Sequence, residues 1–302
     1  MDLIDQAFDS PQPTLQQALR EGSAFLSQVG IESARLDAEL LLGAVLGQRR
    51  EELYLSFERS LGNRERRLFQ SLLERRALRE PIAYLTGRRE FWSLDFLVTS
   101  DVLVPRPETE LLVEVAVGLM EAESQISNFK SQILDLGTGS GNIAVSLAKE
   151  RSDSEVWATE LSSKALAIAG ANAVHHGVEE KIHFLEGDLF QPVKDKRRFF
   201  HMVVANPPYV RRGEIPSLPQ EVRDWEPVLA LDGGIAGLDF YRRIAQQGHL
   251  FLRERGFIVL EIGEGMAEAV SRLFAGVGRY SECALHHDYS GKERVVVARK
   301  SR

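Results

Sequence analysis

Ile133-Leu134-Asp135-Leu136-Gly137-Thr138-Gly139-Ser140-Gly141-Asn142, followed by Ile143-Ala144-Val145-Ser146-Leu147-Ala148, reads as a strand, a glycine turn and a helix. Glycines at alternate positions let the backbone turn sharply and approach a ligand closely. The helix that follows presents unpaired N–H groups to any anionic group. Counting from Gly137 the sixth position is Asn142, and from Gly139 it is Ala144, so neither register gives the Gly-x-Gly-x-x-Gly dinucleotide fingerprint. The loop ends Gly-Asn-Ile with no lysine before Lys149, which also excludes a triphosphate-cradling P-loop.

Working outward, the next strand, Glu155-Val156-Trp157-Ala158-Thr159, ends at Glu160. A carboxylate at a strand tip about twenty residues past a glycine turn suits a ribose diol. A third strand, from Lys181 to Glu186, ends at Gly187-Asp188-Leu189-Phe190. Two readings of Asp188 and Leu189 stand side by side: they flank an adenine ring, or they only build the turn. The three tips together describe an adenosine pocket without a phosphate anchor, which favours S-adenosylmethionine over NAD or ATP.

The fourth strand, Met202-Val203-Val204-Ala205, runs into Asn206-Pro207-Pro208-Tyr209. Proline lacks the ladder donor and forces the preceding residue into an extended conformation, so Asn206 is held at the strand's carboxyl end. Taken alone, the tetrapeptide is equally an ordinary turn after a buried strand. Placed after a glycine-turn unit it reads as a clamp for an amide nitrogen. The lone pair of such a nitrogen is delocalised, so a catalyst must hold and polarise the NH2 group. The Asn206 side-chain oxygen and the Pro207 carbonyl can each accept one N–H, and Tyr209 can pack on the amide plane and exclude water. No strong base is needed, since the nitrogen becomes acidic only as it acquires the methyl group.

These segments resemble the release-factor glutamine methyltransferase family. The likeness also covers Glu80–Gly87, Glu90-Phe91-Trp92, Val104-Pro105-Arg106-Pro107-Glu108-Thr109-Glu110, Leu229–Gly234, Gly237–Tyr241 and Asp288–Arg294. It implies an α/β fold: a Rossmann-like, seven-stranded class I methyltransferase domain over 105–302, a small helical substrate-binding domain over 1–87 and a β-hairpin linker over 88–104. The resemblance assigns the cofactor to Gly137, Thr138, Gly139, Ser140, Gly141, Glu160, Asp188, Leu189 and Asn206. Catalysis falls to Asn206, Pro207, Pro208 and Tyr209, and Arg106 and Glu110 join them along the substrate cleft. The implied substrate is the glutamine of a Gly-Gly-Gln loop in class-1 peptide chain release factors. Position 160 is often Asp in this family, and Glu160 moves the charge outward by one methylene. The rival reading is a methyltransferase for an exocyclic amine of a nucleic acid, such as adenine N6, because the same acceptors serve both amines.

Composition bears on that rivalry. A net charge of −7 argues against generic affinity for phosphate backbones. Between Arg59 and Glu90, however, nine arginines stand against four glutamates, either as a solvated helix face or as a docking patch. Cys283 is the single cysteine, and no Cys/His cluster suggests a metal. The acidic start Met1–Asp5 lacks the layout of a signal peptide and no apolar run reaches membrane-spanning length, so a cytoplasmic protein without membrane partners is expected.

In the N-terminal region, Thr14, Ser33 and Asn63 are expected to open helices. Their buried stripes should carry Leu15, Ala18, Leu19, Leu26 and Val29; Leu36, Leu40, Leu41 and Ala44; and Leu68, Leu72, Leu73 and Leu78. A hairpin is expected between Phe91 and Val104, turning at Thr99-Ser100-Asp101. Beyond it, strands and helices alternate as in a mostly parallel doubly wound sheet, with two final strands that lack a helix between them.

Overall fold

A computed structural model describes residues 12–124, 131–151, 153–281 and 283–301; the acidic start lies outside them. The chain divides into two compact units, one up to Arg88 together with Pro219–Trp225, the other comprising Arg89–Leu218 and the chain from Glu226 on.

Up to Arg88 the described residues of the first unit carry five α-helices: α1 (Leu15–Gln28), α2 (Ala34–Leu46), α3 (Arg50–Leu55), α4 (Asn63–Ala77) and α5 (Ile82–Thr86). Thr14 opens α1 with a capping box shared with Gln17, as its sequence suggests. Ser33 makes no such side-chain bond, and the cap of α4 is Gly62, whose N–H donates to Glu65 at 2.8 Å. The stripe of α1 is the expected one, but those of α2 and α4 are rotated. Leu36, Leu40, Leu68 and Leu78 are exposed, while Ala38, Leu42 and Phe69 are buried. The buried faces carry Ala38, Leu41, Leu42, Phe69 and Leu73 in one apolar core, and Asp37 and Arg76, also buried, form an ion pair at 2.7 Å on the same side, a polar contact no apolar periodicity reveals. Arg76 and Arg79 also each reach Glu221, at 3.3 Å, on the one-turn helix Gln220–Arg223. With Arg59 paired to Glu65 and Arg75 to Glu80, at least four of the nine arginines in this stretch are held in ion pairs.

β1 (Arg88–Phe91), which begins on the last residue of the first unit, and β2 (Leu94–Leu97) form a two-stranded sheet. The hairpin turns at Trp92 and Ser93, whose φ values of 53° and 56° give both central residues the left-handed conformation of a tight hairpin. Trp-Ser carries none of the usual Asn-Gly signature, so the expectation at Thr99–Asp101 was displaced; those residues form a separate turn closed by Val102 N–H to Thr99 O at 3.1 Å. Phe91 and Phe96 bury themselves in the core of the second unit.

The remaining elements are α6 (Glu110–Ser124), β3 (Ser131–Leu136), α7 (Asn142–Glu150), β4 (Ser154–Glu160), α8 (Ser163–His175), β5 (Ile182–Glu186), β6 (Phe200–Ala205), α9 (Asp239–Phe251), β7 (Leu252–Glu261), α10 (Ala267–Val277), β8 (Ala284–His287) and β9 (Glu293–Arg299). The seven strands are ordered β5-β4-β3-β6-β7-β9-β8, with β9 antiparallel to both neighbours and the rest parallel. Side chains of β3 and β6 alternate between two cores. Ile133, Met202 and Val204 join α6 and α7 on one face, and Leu134, Leu136, Val203 and Ala205 join α9 and α10 on the other. Burial on both faces explains why these strands read as continuous apolar runs. Among the described residues no helix is long and apolar enough to cross a membrane.

Strand order reverses between β3 and β6. Their register pairs Asp135 with Val204, so Gly137 and Asn206, each two residues further on, emerge on adjacent strand tips. Open α/β sheets bind ligands at such a switch point.

Candidate active site

A cleft of about 890 Å³, its open mouth included, lies at these tips, within the second unit. Gly137, Gly139, Glu160, Asp188, Leu189, Asn206, Pro207 and Pro208 line it, together with Asp101–Leu103, Leu161, Pro227, Leu229, Ala230 and Phe240. None of the lining side chains is basic, and three are carboxylates: Asp101, Glu160 and Asp188. Such walls suit a cationic or sugar-bearing ligand and disfavour phosphate.

The glycine turn follows from its local chemistry. Gly137, Gly139 and Gly141 have φ of 71°, 56° and 80°, a region that costs other residues strain. A Cβ added at Gly137 or Gly139 would meet no protein atom within 4 Å, so the backbone there is bare toward the cleft. At Gly141 the same Cβ would stand 3.0 Å from that of Ala169, so this glycine serves helix packing instead. Thr138 and Ser140 are buried and turn inward. Thr138 Oγ1 donates to Asp135 Oδ2 at 2.6 Å, and the Ser140 carbonyl accepts from Asn172 at 2.8 Å. Asp135 is wholly buried, and that burial pushes its carboxyl up to about 7.

Glu160 accepts Gly139 N–H and Ser162 N–H, each at 3.0 Å, one on each carboxylate oxygen. The extra methylene of glutamate therefore ties the tip of β4 to the glycine turn, and each oxygen keeps a second lone pair for a ligand. Asp188 is ion-paired to Arg243. Leu189 has φ of 47°, a strained conformation for leucine that aims the Asp188–Leu189 corner at the cleft wall.

At the tip of β6, Asn206 Nδ2 donates to Thr109 Oγ1 at 3.1 Å. Behind Pro208 and Tyr209 runs the segment Asp232–Gly237, joined through Val210 N–H to Leu231 O at 3.0 Å and Gly233 N–H to Val210 O at 2.8 Å. A Cβ on Gly233 would lie 2.8 Å from the Pro208 oxygen, and one on Gly237 2.4 Å from the Tyr209 oxygen. Only glycine permits that approach. Tyr209 is absent from the cleft lining and packs beside Gly263, where a Cβ would come within 2.9 Å of its ring. Burial, then the Glu261 carboxyl, push its phenol up to about 12, so it stays protonated.

Arg106 and Glu110 do not line the cleft either. Arg106 Nη2 donates to both oxygens of Glu226, at 2.7 and 2.8 Å, and thereby fixes the wall that starts at Pro227. Glu110 accepts Trp92 N–H at 2.8 Å and holds the hairpin.

Comparison with known proteins agrees with this geometry. A model of the PrmC N-terminal domain matches residues 17–87, and one of the methyltransferase small domain matches residues 111–221. The release factor glutamine methyltransferase of Geobacter sulfurreducens is 40% identical over 286 residues, covering 95% of this chain and 96% of that one. The chain belongs to the release factor glutamine methyltransferase family. A second relative of that name, from Moorella thermoacetica, is 40% identical over 94% of this chain and 98% of its own. Among solved structures, the catalytic domain of hMettl16, determined in complex with a MAT2A 3′UTR hairpin, aligns with a TM-score of 0.56 at 15% identity. It covers 80% of this chain and 84% of that one, a likeness of fold alone. The class I methyltransferase fold expected from the family resemblance is thus the one observed.

Several residues that shape this family member's site escaped sequence reasoning. Asp101–Leu103, Pro227, Leu229 and Ala230 form cleft walls from loops without a regular period, and Thr109 supports Asn206 from far away in the chain. The signals available were the prolines at positions 105 and 227 and the family likeness over Val104–Glu110 and Leu229–Gly234, which gave Thr109, Leu229 and Ala230 no role.

Proposed function

We propose that this chain methylates the N5 amide nitrogen of a glutamine side chain, in the Gly-Gly-Gln loop of class-1 peptide chain release factors, using S-adenosylmethionine. The observation that carries the reading is the pairing of Asn206-Pro207-Pro208 with a phosphate-averse, glycine-floored cleft at one switch point. The bare backbone at Gly137 and Gly139 and the free lone pairs of Glu160 fit the cofactor. In this reading Glu160 holds the ribose diol, Asp188 and Leu189 border the adenine, and the glycine turn carries the amino-acid end. When bound, S-adenosylmethionine supplies an electrophilic methyl group on a sulfonium sulfur.

The chain's own residues then orient the acceptor. Asn206 Oδ1 and the Pro207 carbonyl each take one N–H of the glutamine amide, which aims the nitrogen lone pair and accounts for both amide protons. Proline adds no competing donor. Tyr209, neutral and packed on Gly263, stiffens the clamp from behind instead of stacking on the substrate amide. Transfer would form the N–C bond as the methyl's C–S bond breaks, leaving a neutral thioether, and one amide proton held by Asn206 Oδ1 or the Pro207 carbonyl would become acidic and leave to solvent, so a resident base is unnecessary.

Mass spectrometry of release factor incubated with enzyme and cofactor tests the proposal. The expected product is one added methyl on the loop glutamine, with no transfer to RNA or DNA. Asn206→Ala should cut turnover by about 100- to 1,000-fold, the typical loss of one preorganised polar group, while cofactor affinity is kept. Undiminished turnover in that variant, or labelling of nucleic acid instead, would overturn the reading.

A further inference from the structure

We propose that Val228, Leu229 and Ile235 form an apolar docking rim that grips the body of the protein substrate beside the loop carrying its glutamine. The proposal rests on the glutamine-methylation reading, because it names what holds the release factor while the clamp holds the amide.

Just outside the cleft, one short stretch exposes three large apolar side chains: Val228 at 53%, Leu229 at 51% and Ile235 at 85%. Leu229 also lines the cleft and so forms its lip, whereas Val228 and Ile235 lie outside the lining. What meets those two is not the glutamine side chain but the chain around it.

Ile235 sits where the fold has no use for it. Gly237 N–H donates to Gly234 O at 3.3 Å, closing a turn with Ile235 and Ala236 at its centre. Exposed turns are ordinarily built from Gly, Pro, Asn, Asp or Ser, and a β-branched apolar side chain at the apex adds nothing to the turn or the core. The turn is also held stiffly. Asp232 Oδ1 accepts Gly234 N–H at 2.8 Å, and Asp239 N–H donates to Gly233 O at 3.1 Å. A Cβ on Gly233 would lie 2.8 Å from both the Pro208 oxygen and Tyr209 Cα, so the base of the turn is packed on the clamp itself. The Val228 carbonyl accepts Leu231 N–H at 3.0 Å and Asp232 N–H at 2.9 Å, which joins the lip to the same frame. An apolar edge ordered in advance loses little freedom on binding, so covering it contributes directly to affinity.

Charge selects the class of occupant. Arg211 and Arg212 border the turn, and both are paired, with Glu214 at 3.4 Å and with Asp232 at 2.9 Å. A phosphate backbone is held by cations, and this edge commits its arginines to its own carboxylates. An apolar, locally neutral edge continuous with the clamp fits a protein surface, here the part of the release factor that surrounds the Gly-Gly-Gln loop.

Ile235→Ser is the direct test, with Ile235→Leu as the conservative partner. I235S is expected to raise KM for release factor about 10-fold, with kcat and the calorimetric Kd for S-adenosylmethionine within twofold of the parent, the pattern of lost uniform binding. Val228→Ser should raise KM about threefold, and I235L should stay within twofold of the parent. Val174→Ser, at a position 63% exposed on α8, controls for removal of an exposed apolar group elsewhere and should leave KM unchanged. Calorimetric binding of release factor to enzyme holding S-adenosylhomocysteine should weaken in I235S by the same factor as KM rises. Parental KM and Kd in I235S would overturn the proposal, as would an equal rise in V174S or a loss confined to kcat. A parent dimer that I235S dissociates in sedimentation would give the rim to a second copy of the chain, and RNA that competes with release factor for the parent but not for I235S would give it to nucleic acid; either result overturns the proposal. Release factor left unmethylated by the parent would remove the amide-clamp reading and the rim with it, whereas methylation with parental KM in I235S would remove the rim alone.

Discussion

The tips of β3 and β6 stand side by side at the switch point, and beside each lies a buried carboxyl that burial pushes up to about 7. Under the glycine turn it is Asp135, which accepts from Thr138 three residues on. Beside the clamp it is Glu261, at the end of β7, while Thr109, from the turn before α6, accepts from Asn206 Nδ2 at 3.1 Å. The first tip keeps its strand, its turn and its buried carboxyl within one short segment, braced by Glu160 at the end of β4 and by Asn172 of α8. The second is assembled from at least four segments, counting Asp232–Gly237 and Gly263 behind Pro208 and Tyr209. Cofactor floors built locally tolerate change elsewhere, whereas a clamp assembled from remote parts is sensitive to all of them.

The largest effect expected concerns the two carboxyls themselves. Burial lifts Asp135 and Glu261 from ordinary values of 3.8 and 4.5 to about 7. The folded chain therefore keeps protons that the unfolded chain has lost. Their contribution to stability is complete below the unfolded values and disappears as pH rises through 7. At 1.36 kcal/mol per unit, each group changes stability by roughly 3–4 kcal/mol across that window. His201 acts with the opposite sign, since burial depresses it from 6.5 to about 4 and its contribution is lost as pH falls. The difference between parent and variant isolates each carboxyl. In denaturant titrations from pH 4.5 to 7.5, Asp135→Asn and Glu261→Gln should each flatten the decline. A flattening by one alone would show that the two supports are unlike despite their shared chemistry.

Breaking the second tip from a distance is the next test. Gly237→Ala places a methyl group 2.4 Å from the Tyr209 carbonyl oxygen, at a φ of 71°. The Pro208–Tyr209 backbone must shift, and a displacement on the order of 1 Å in a positioning group costs about 100-fold in rate. Turnover should fall by that factor with cofactor Kd within about threefold of the parent. Parental turnover in G237A would mean that the clamp is as locally built as the glycine turn.

The same contrast explains how much the sequence disclosed. Strands at the switch point were legible because burial on both faces writes apolar runs such as Met202–Ala205, and the glycine turn because its positive φ angles demand the residues seen. Asn206 was legible through the prolines that stop its strand. What the residues alone did not disclose lies in tertiary contacts. Tyr209 was expected on the substrate amide but packs on Gly263, while Arg106 and Glu110 were expected in the cleft but hold Glu226 and Trp92. A charged residue near a predicted cleft has no sequence mark that separates facing a ligand from bracing a wall. In the helical unit the leucine periodicity likewise misplaced the buried faces of α2 and α4, which carry the Asp37–Arg76 pair beside Ala38, Leu42 and Phe69.

The smallest effect should come from Gly139→Ala, and it sharpens the contrast from the other side. No protein atom lies within 4 Å of the added methyl, so folding loses only the strain of holding alanine at a φ of 56°, about 1 kcal/mol. The methyl points into the cleft floor, where the cofactor's amino-acid end would lie. Calorimetry should show S-adenosylmethionine binding weakened about tenfold, with kcat at saturating cofactor within about threefold of the parent. G139A and G237A would then divide the active site in two, the first moving affinity and the second turnover. If G139A instead lowered kcat and left Kd alone, the glycine turn would be acting on the reacting centre, and the separation of floor from clamp would be wrong.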